Sequence, residues 1–145
     1  MTPRLAQPQE AAELAAMIDG AYQAYRDRGV ALPDVSAGVP EAIAAGQVWT
    51  IGDAPLMGVL MLNTQGDDAH LMNVAVAATA QGQGIGGILI RHALALANAA
   101  GCKGIALATH QDLSENLALY QHLGWSETGR EGARVMMYRA LTNDA

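Results

Sequence analysis

Residues Gln81-Gly82-Gln83-Gly84-Ile85-Gly86-Gly87 place four glycines within six positions, between an apolar strand-like run at 71–76 and a helix-like run at 85–100. Residues of this type at this spacing bind phosphate. Without side chains at Gly82, Gly84, Gly86 and Gly87, backbone N–H groups at a helix start can approach an anion closely, and the helix macrodipole adds about half a positive charge there. The ligand implied carries a pyrophosphate or a similar group. The chain has a net charge of −6, yet no Asp or Glu lies between Asp68 and Asp112, whereas His70, Arg91, His92, Lys103 and His110 do. A segment that supplies buried strand and helix faces is also poor in acids, but burial does not account for the glycines.

Two templates share this turn. Gly82-x-Gly84-x-x-Gly87 satisfies the dinucleotide fingerprint, which requires a βαβ unit and an acidic residue about 20 positions further on for the ribose. Here the second strand, at 104–109, leads into Thr109-His110-Gln111, and the 58 residues after Gly87 are too few for a doubly wound domain of the usual size. Gln81-x-x-Gly84-x-Gly86 fits the acyl-CoA pyrophosphate loop written Arg/Gln-x-x-Gly-x-Gly/Ala, and in it the chain resembles the GNAT superfamily of N-acetyltransferases. The resemblance takes in Asn73-Val74-Ala75-Val76 before the turn and the strand at 105–109 after the helix. It continues through Glu115-Asn116-x-Ala118-Leu119-Tyr120 and Leu123-Gly124-Trp125, in the family's order over about half of the chain. The ending Arg134-Val135-Met136-Met137-Tyr138-Arg139 resembles the last strand of one branch, while residues 1–65 match loosely, through Tyr22, Tyr25 and Arg28-Gly29.

The resemblance implies an α/β fold: a single GNAT domain over 1–145, with a mixed central β-sheet flanked by helices on both faces. It implies acetyl transfer from acetyl-CoA, as co-substrate, to a primary amine by direct attack in a ternary complex, with no metal and no covalent acyl-enzyme. Such a reaction needs a neutral amine, stabilisation of the tetrahedral oxyanion and a proton for the departing thiolate. The motif match puts the proton donor at Tyr120, a phenol whose ordinary pKa of about 10 keeps it protonated at neutral pH. Without the motif, Tyr120 reads as core, packed with Leu113 and Leu117 at helical spacing. By the same resemblance Gln81, Gly82, Gln83, Gly84, Ile85, Gly86 and Gly87 hold the pyrophosphate. Asn116 bonds the pantetheine or phosphate portion, and Val74, Ala75 and Val76 offer main-chain groups to the pantetheine. The side chains of Val74 and Val76 read as core. Arg91 and Lys103 are candidates for the nucleotide phosphates.

The general base is less defined. Many relatives carry a glutamate on the strand before the turn, where this chain has Met72 and Asn73. Candidates are His110, an imidazole at the end of the second strand, Glu41, Asp34, or solvent, either bulk water or one positioned by Asn73. Cys102, in Gly101-Cys102-Lys103, is a weak nucleophile candidate with no paired base in the motif. Two other classes remain open at this point: a non-catalytic acyl-CoA-binding or regulatory module, consistent with the absent glutamate, and a Rossmann-like nucleotide binder.

The elements that must position these residues can be read from periodicity. Residues 3–6 form a short edge strand, and 9–28 a helix with apolar Ala12, Leu14, Ala15, Ile18, Tyr22 and Tyr25 at roughly the 3.6 period, closed by Gly29. Residues 30–40 form a Pro/Gly-rich loop suited to covering a pocket, and Pro40 opens a short helix to about residue 45. Strands at 47–51 and 56–63 flank a turn, and Gly66-Asp67-Asp68 turns into the strand ending at Val76. The helix after the glycine turn carries Leu89, Ala93, Leu96 and Ala100 on one stripe, and the strand at 104–109 returns parallel to the earlier one. Ser114 reads as the N-cap of a helix to residue 123, Gly124 as its C′ residue, and 126–130 with 134–139 as a closing hairpin.

At 145 residues with 51% apolar content, the chain has the size and core of one domain. Its apolar runs are too short to span a membrane, its first ten residues lack a signal pattern and it has a single cysteine, so the expected compartment is cytoplasmic. An acidic chain without a basic stripe is a poor nucleic-acid binder. Nine of its 14 acidic residues lie in the first half, which favours a positively charged amine, either a small molecule or a peptide N-terminus, as acceptor. Family habit implies a homodimer.

Overall fold

The computed structural model describes residues 2–30 and 36–141. Asp34 and the rest of residues 31–35 of the expected pocket-covering loop lie outside the described residues. The strands are β1 (Arg4–Leu5), β2 (Val48–Gly52), β3 (Leu56–Asn63), β4 (Asp68–Val76), β5 (Gly104–His110), β6 (Ser126–Glu131) and β7 (Arg134–Ala140). The helices are α1 (Ala11–Asp27), α2 (Val39–Ala44), α3 (Ile85–Ala99) and α4 (Ser114–His122). The strands form one seven-stranded mixed sheet in the order β1-β2-β3-β4-β5-β7-β6, with β4 and β5 parallel. This is an α/β fold. None of the described helices is long and apolar enough to cross a membrane.

The chain divides into two compact units, Met1–Leu62 with Asn73–Ala93, and Asn63–Met72 with Leu94–Ala145. In the first unit, Leu14 and Ile18 of α1, Val39 and Ile43 of α2, Val59 and Met61 of β3, and Ala75 of β4 share one buried cluster. The helical stripe expected of α1 is present except at Ala12, which is exposed; the inward face passes through Ala11, Leu14, Ala15 and Ile18 instead. Arg4 forms a two-pronged ion pair with Glu10 at 3.0 and 2.8 Å, tying β1 to the start of α1 and holding the Glu10 carboxyl below its ordinary range.

Helix α3 buries Leu89, Ile90, Ala93 and Ala97. The expected stripe through Leu96 and Ala100 is corrected: Leu96 is half-buried and Ala100 exposed, because the contact surface follows the i, i+4 ridge Leu89-Ala93-Ala97. Close approach of α3 to the sheet depends on Gly58. A Cβ there would lie 2.8 Å from Ile85 Cγ2 and 2.9 Å from Leu89 Cδ1. Gly58→Ala is therefore expected to cost about 1–3 kcal/mol through overpacking, readable as a lowered Tm; an unchanged Tm would mean that α3 seats without this contact.

His92 of α3 packs edge-on against Trp49 of β2, with ring centroids 6.0 Å apart. Its Nε2 is buried and has no hydrogen-bond partner among the described residues, and burial pushes its pKa below the ordinary 6.5. As pH falls below about 6.5 the unfolded chain takes up this proton before the native chain does, so stability drops until the native ring is protonated too. Denaturant titrations between about pH 7 and pH 5 should therefore show a shallower loss of stability for His92→Phe than for the wild type. Equal slopes would place the charged imidazole in water.

In the second unit, Ile105 and Leu107 of β5, Val135 and Met137 of β7, and Leu113, Tyr120 and Trp125 are buried. The Trp125 indole N–H donates to the Ile105 carbonyl at 3.0 Å. Gly104 cannot carry a side chain, since a Cβ would overlap the Tyr138 hydroxyl, which donates to Asp68 Oδ1 at 2.8 Å. This bond lies in an N-terminal extension of β4 that the turn-like Gly66-Asp67-Asp68 conceals.

Candidate functional site

The glycine turn belongs to the first unit. After β4, the Ala77 N–H donates to the Met57 carbonyl at 2.9 Å, and a short 3-10 turn at Ala78–Ala80 leads into Gln81. Gly82 and Gly84 have φ of 81° and 78°, a region costly for L side chains, and a Cβ at either would meet nothing within 4 Å. The outer face of the turn is open. The Ile88 N–H reaches the Gly84 carbonyl at 3.2 Å, so by helix geometry the N–H groups of Ile85, Gly86 and Gly87 have no intrahelical acceptor.

Charge completes this cradle. No acidic residue lies in the first turn of α3. The Arg91 guanidinium folds back one turn, with Nη1 3.3 Å from the position a Gly87 Cβ would take, and adds a cation where the macrodipole is already positive. An open, N–H-lined, carboxylate-free turn beside a guanidinium fits the pyrophosphate of CoA. Of the two candidate cations, Arg91 flanks the turn, while Lys103 follows the opposite end of α3.

On β4, Asn73 is half-buried and its Oδ1 lies 3.4 Å from the Tyr22 hydroxyl of α1, a long hydrogen bond. Ala75 is in the core of this unit. The reading of the Val74 and Val76 side chains as core is corrected: both are half-buried, since alternation along the strand gives the helix-covered position to Ala75. Glu41 is exposed in the first turn of α2.

The second unit holds His110, Asn116 and Tyr120. The Leu117 N–H donates to the Leu113 carbonyl at 3.0 Å, so Leu113 occupies the N-cap position of α4 without a side-chain cap. The expected Ser114 cap is corrected by one residue. Asn116 is half-buried in the first turn. At the other end, Gly124 has φ of 105° and the Trp125 N–H returns to the Tyr120 carbonyl at 2.9 Å, as expected of a helix stop. Tyr120 is 6% exposed and meets Trp125 edge-on at 5.9 Å.

His110 ends β5, and its Nδ1 accepts the Asp112 N–H at 3.0 Å. A neutral imidazole that accepts at Nδ1 carries its proton on Nε2, so this ring offers no free basic nitrogen unless that bond breaks. Cys102 is buried, and its thiol faces the Thr64 and Gly66 carbonyls at 3.5 and 3.8 Å, a packed rather than a nucleophilic setting. Among the described residues, no three His, Cys, Asp or Glu side chains gather in a way that could hold a metal.

Sequence reasoning missed the Tyr22 bond to Asn73 and the return of Arg91 over Gly87. Only the second left a local signal, the i, i+4 spacing of Gly87 and Arg91.

Residues 40–125, more than half of the chain, match the model of the Acetyltransferase (GNAT) family. Over 95% of this chain and 97% of the other, the fold is similar to that of the PaiA N-acetyltransferase from Thermoplasma acidophilum in complex with coenzyme A, with a TM-score of 0.82 at 15% identity. Ard1 from Thermoplasma volcanium gives 0.76 at 14% identity, covering 98% of both chains. The ribosomal-protein-S18-alanine N-acetyltransferase from Escherichia coli gives 0.72 at 17% identity, over 99% of this chain and 96% of that one.

Proposed function

We propose, from the premise that this chain belongs to the GNAT family of acetyltransferases, that it transfers the acetyl group of acetyl-CoA to a primary amine by direct attack, residues 1–145 acting as one domain. The observation that carries this reading is the open, carboxylate-free glycine turn at the start of α3, with Gly82 and Gly84 at positive φ and Arg91 folded over Gly87. Backbone N–H groups of Ile85, Gly86 and Gly87 hold the pyrophosphate, with Gln81 and Gln83 at its edge. Main-chain groups of Val74, Ala75 and Val76 pair with the pantetheine amides, and a strand N–H stabilises the oxyanion. Asn116 bonds the cofactor further along.

The amine nitrogen attacks the thioester carbonyl, the C–S bond breaks and Tyr120 gives its phenolic proton to the departing thiolate. The amine's own proton leaves through a water held by Asn73; His110 takes that role only after releasing the Asp112 N–H. Membership of the GNAT family supports a small-molecule amine or a peptide N-terminus as acceptor, and a cytoplasmic, homodimeric enzyme is consistent with it.

A second reading, a non-catalytic acyl-CoA-binding module, has one observation in its favour: Met72 and Asn73 stand where many relatives carry a glutamate base. Calorimetric titration with acetyl-CoA and with NADH, followed by thiol release in the presence of amines, separates the readings. Binding of acetyl-CoA alone with amine-stimulated release is the expected result; binding without release favours the module, and NADH binding would overturn both.

A further inference from the structure

The second unit contains a cavity of about 520 Å³ that the preceding account does not use. Parallel pairing of β4 with β5 covers only Asp68↔Gly104, Ala69↔Ile105 and His70↔Ala106, whereas β5 pairs with β7 along its whole length to His110↔Arg134. The cavity opens where the β4 pairing stops. Residues opposite one another in an antiparallel pair share a face, which puts Ala106 beside Tyr138, Ala108 beside Met136 and His110 beside Arg134. Ala106 and Ala108 make a low floor, His70 and Met72 one wall, and Met136 and Tyr138 the other. From Arg134 to Tyr138 the trough spans about 13 Å at the rise of a strand, long enough for one extended amino-acid side chain.

The charges of the lining are one-sided. It contains no Asp or Glu, and it contains Arg134, a permanent cation, with His70. Glu131 stands opposite Arg134 in the hairpin register but belongs neither to the lining nor to an ion pair with it among the described residues. Asp68 is engaged by the Tyr138 hydroxyl, which raises the phenol's pKa and keeps it neutral. In a chain of net charge −6, this apolar trough ending in a guanidinium complements an apolar molecule that ends in an anion. Because β4 runs parallel to β5, its chain leaves the cavity toward the Arg134 end.

We propose that the trough is the acceptor site for a free α-amino acid with an apolar side chain. Its carboxylate pairs with Arg134, as guanidinium and carboxylate geometries match, and its side chain lies over Ala106 and Ala108 between Met72 and Met136. Its α-amine is the nucleophile. This deepens the acetyltransferase reading and rests on it: the new N–C bond forms as the thioester C–S bond breaks, one proton leaves the amine and one reaches the thiolate, giving an N-acetylamino acid and CoA.

The test compares binding of L-leucine and L-leucinamide to the CoA-loaded protein by calorimetry, with product formation read separately. Leucine is expected to bind about tenfold or more tighter than its amide, as for one charge-assisted hydrogen bond, and Arg134→Gln should abolish that preference. Ala108→Leu should exclude both ligands while CoA affinity is unchanged. The proposal is overturned if acid and amide bind alike, if Arg134→Gln keeps the preference, or if a leucyl peptide binds more tightly than leucine. Transfer to amines without a carboxylate, with no leucine binding, would overturn it while leaving the acetyltransferase intact. Failure to bind acetyl-CoA, with leucine still bound, would instead remove the acetyltransferase reading.

Discussion

Tyr120→Phe is expected to lower kcat by about two to four orders of magnitude, the contribution of a positioned general acid, while acetyl-CoA affinity and Tm stay close to wild type. Phenylalanine is the conservative replacement. Tyr120 is nearly buried and its ring meets Trp125 edge-on; phenylalanine keeps the ring, the contact and the backbone carbonyl that receives the Trp125 N–H, and removes one oxygen. The competing account, in which Tyr120 is a core residue alongside Leu113, predicts a variant that turns over normally. Should kcat fall together with Tm and with affinity, the hydroxyl would be structural. Loss of kcat alone, with loss of the basic limb of the kcat–pH profile, identifies a proton donor.

The second large effect is on binding. Gly84→Asp is expected to weaken acetyl-CoA by about 100-fold or more, the loss of two charge-assisted hydrogen bonds, with little change in Tm. Gly84 precedes the first residue of α3 and has φ of 78°, a conformation that Asp tolerates better than most residues. A carboxylate there accepts the very N–H groups of Gly86 and Gly87 that the cofactor needs, and it stabilises the isolated helix as a cap does. Protein stability and ligand affinity should therefore separate, and added salt should recover part of the affinity by screening. If affinity is unchanged, the pyrophosphate does not bind at this turn.

Much of the fold was legible because its signals are local. The glycines at 82–87, Gly101 and Gly124 mark helix ends, and the Ile105-Ala106-Leu107-Ala108 run and the Arg134 strand need no tertiary context. Features made by distant residues were not legible. Asp68 looks like a turn residue until the Tyr138 hydroxyl, 70 positions away, is seen to bond it, and Tyr22 meets Asn73 across 51 positions.

Burial hid a second class of feature. Ala106 and Ala108 read as ordinary members of an apolar strand, and only the pairing of β5 with β7 shows that they share a face with Met136 and Arg134, opposite the buried Ile105 and Leu107. Likewise Val74, Ala75 and Val76 are equally apolar in sequence, yet only Ala75 reaches the core. The Nδ1 bond that occupies His110 comes from a neighbour two residues on, but its geometry depends on the turn after β5.

The chemistry at stake is movement of an acetyl group from a thioester to nitrogen. Its most direct test is mass spectrometry of reactions containing acetyl-CoA and a panel of apolar amino acids, simple amines and peptides. A product heavier by one acetyl group is expected, formed only with enzyme and lost with Tyr120→Phe. A protein that binds acetyl-CoA but acetylates nothing in that panel would contradict it.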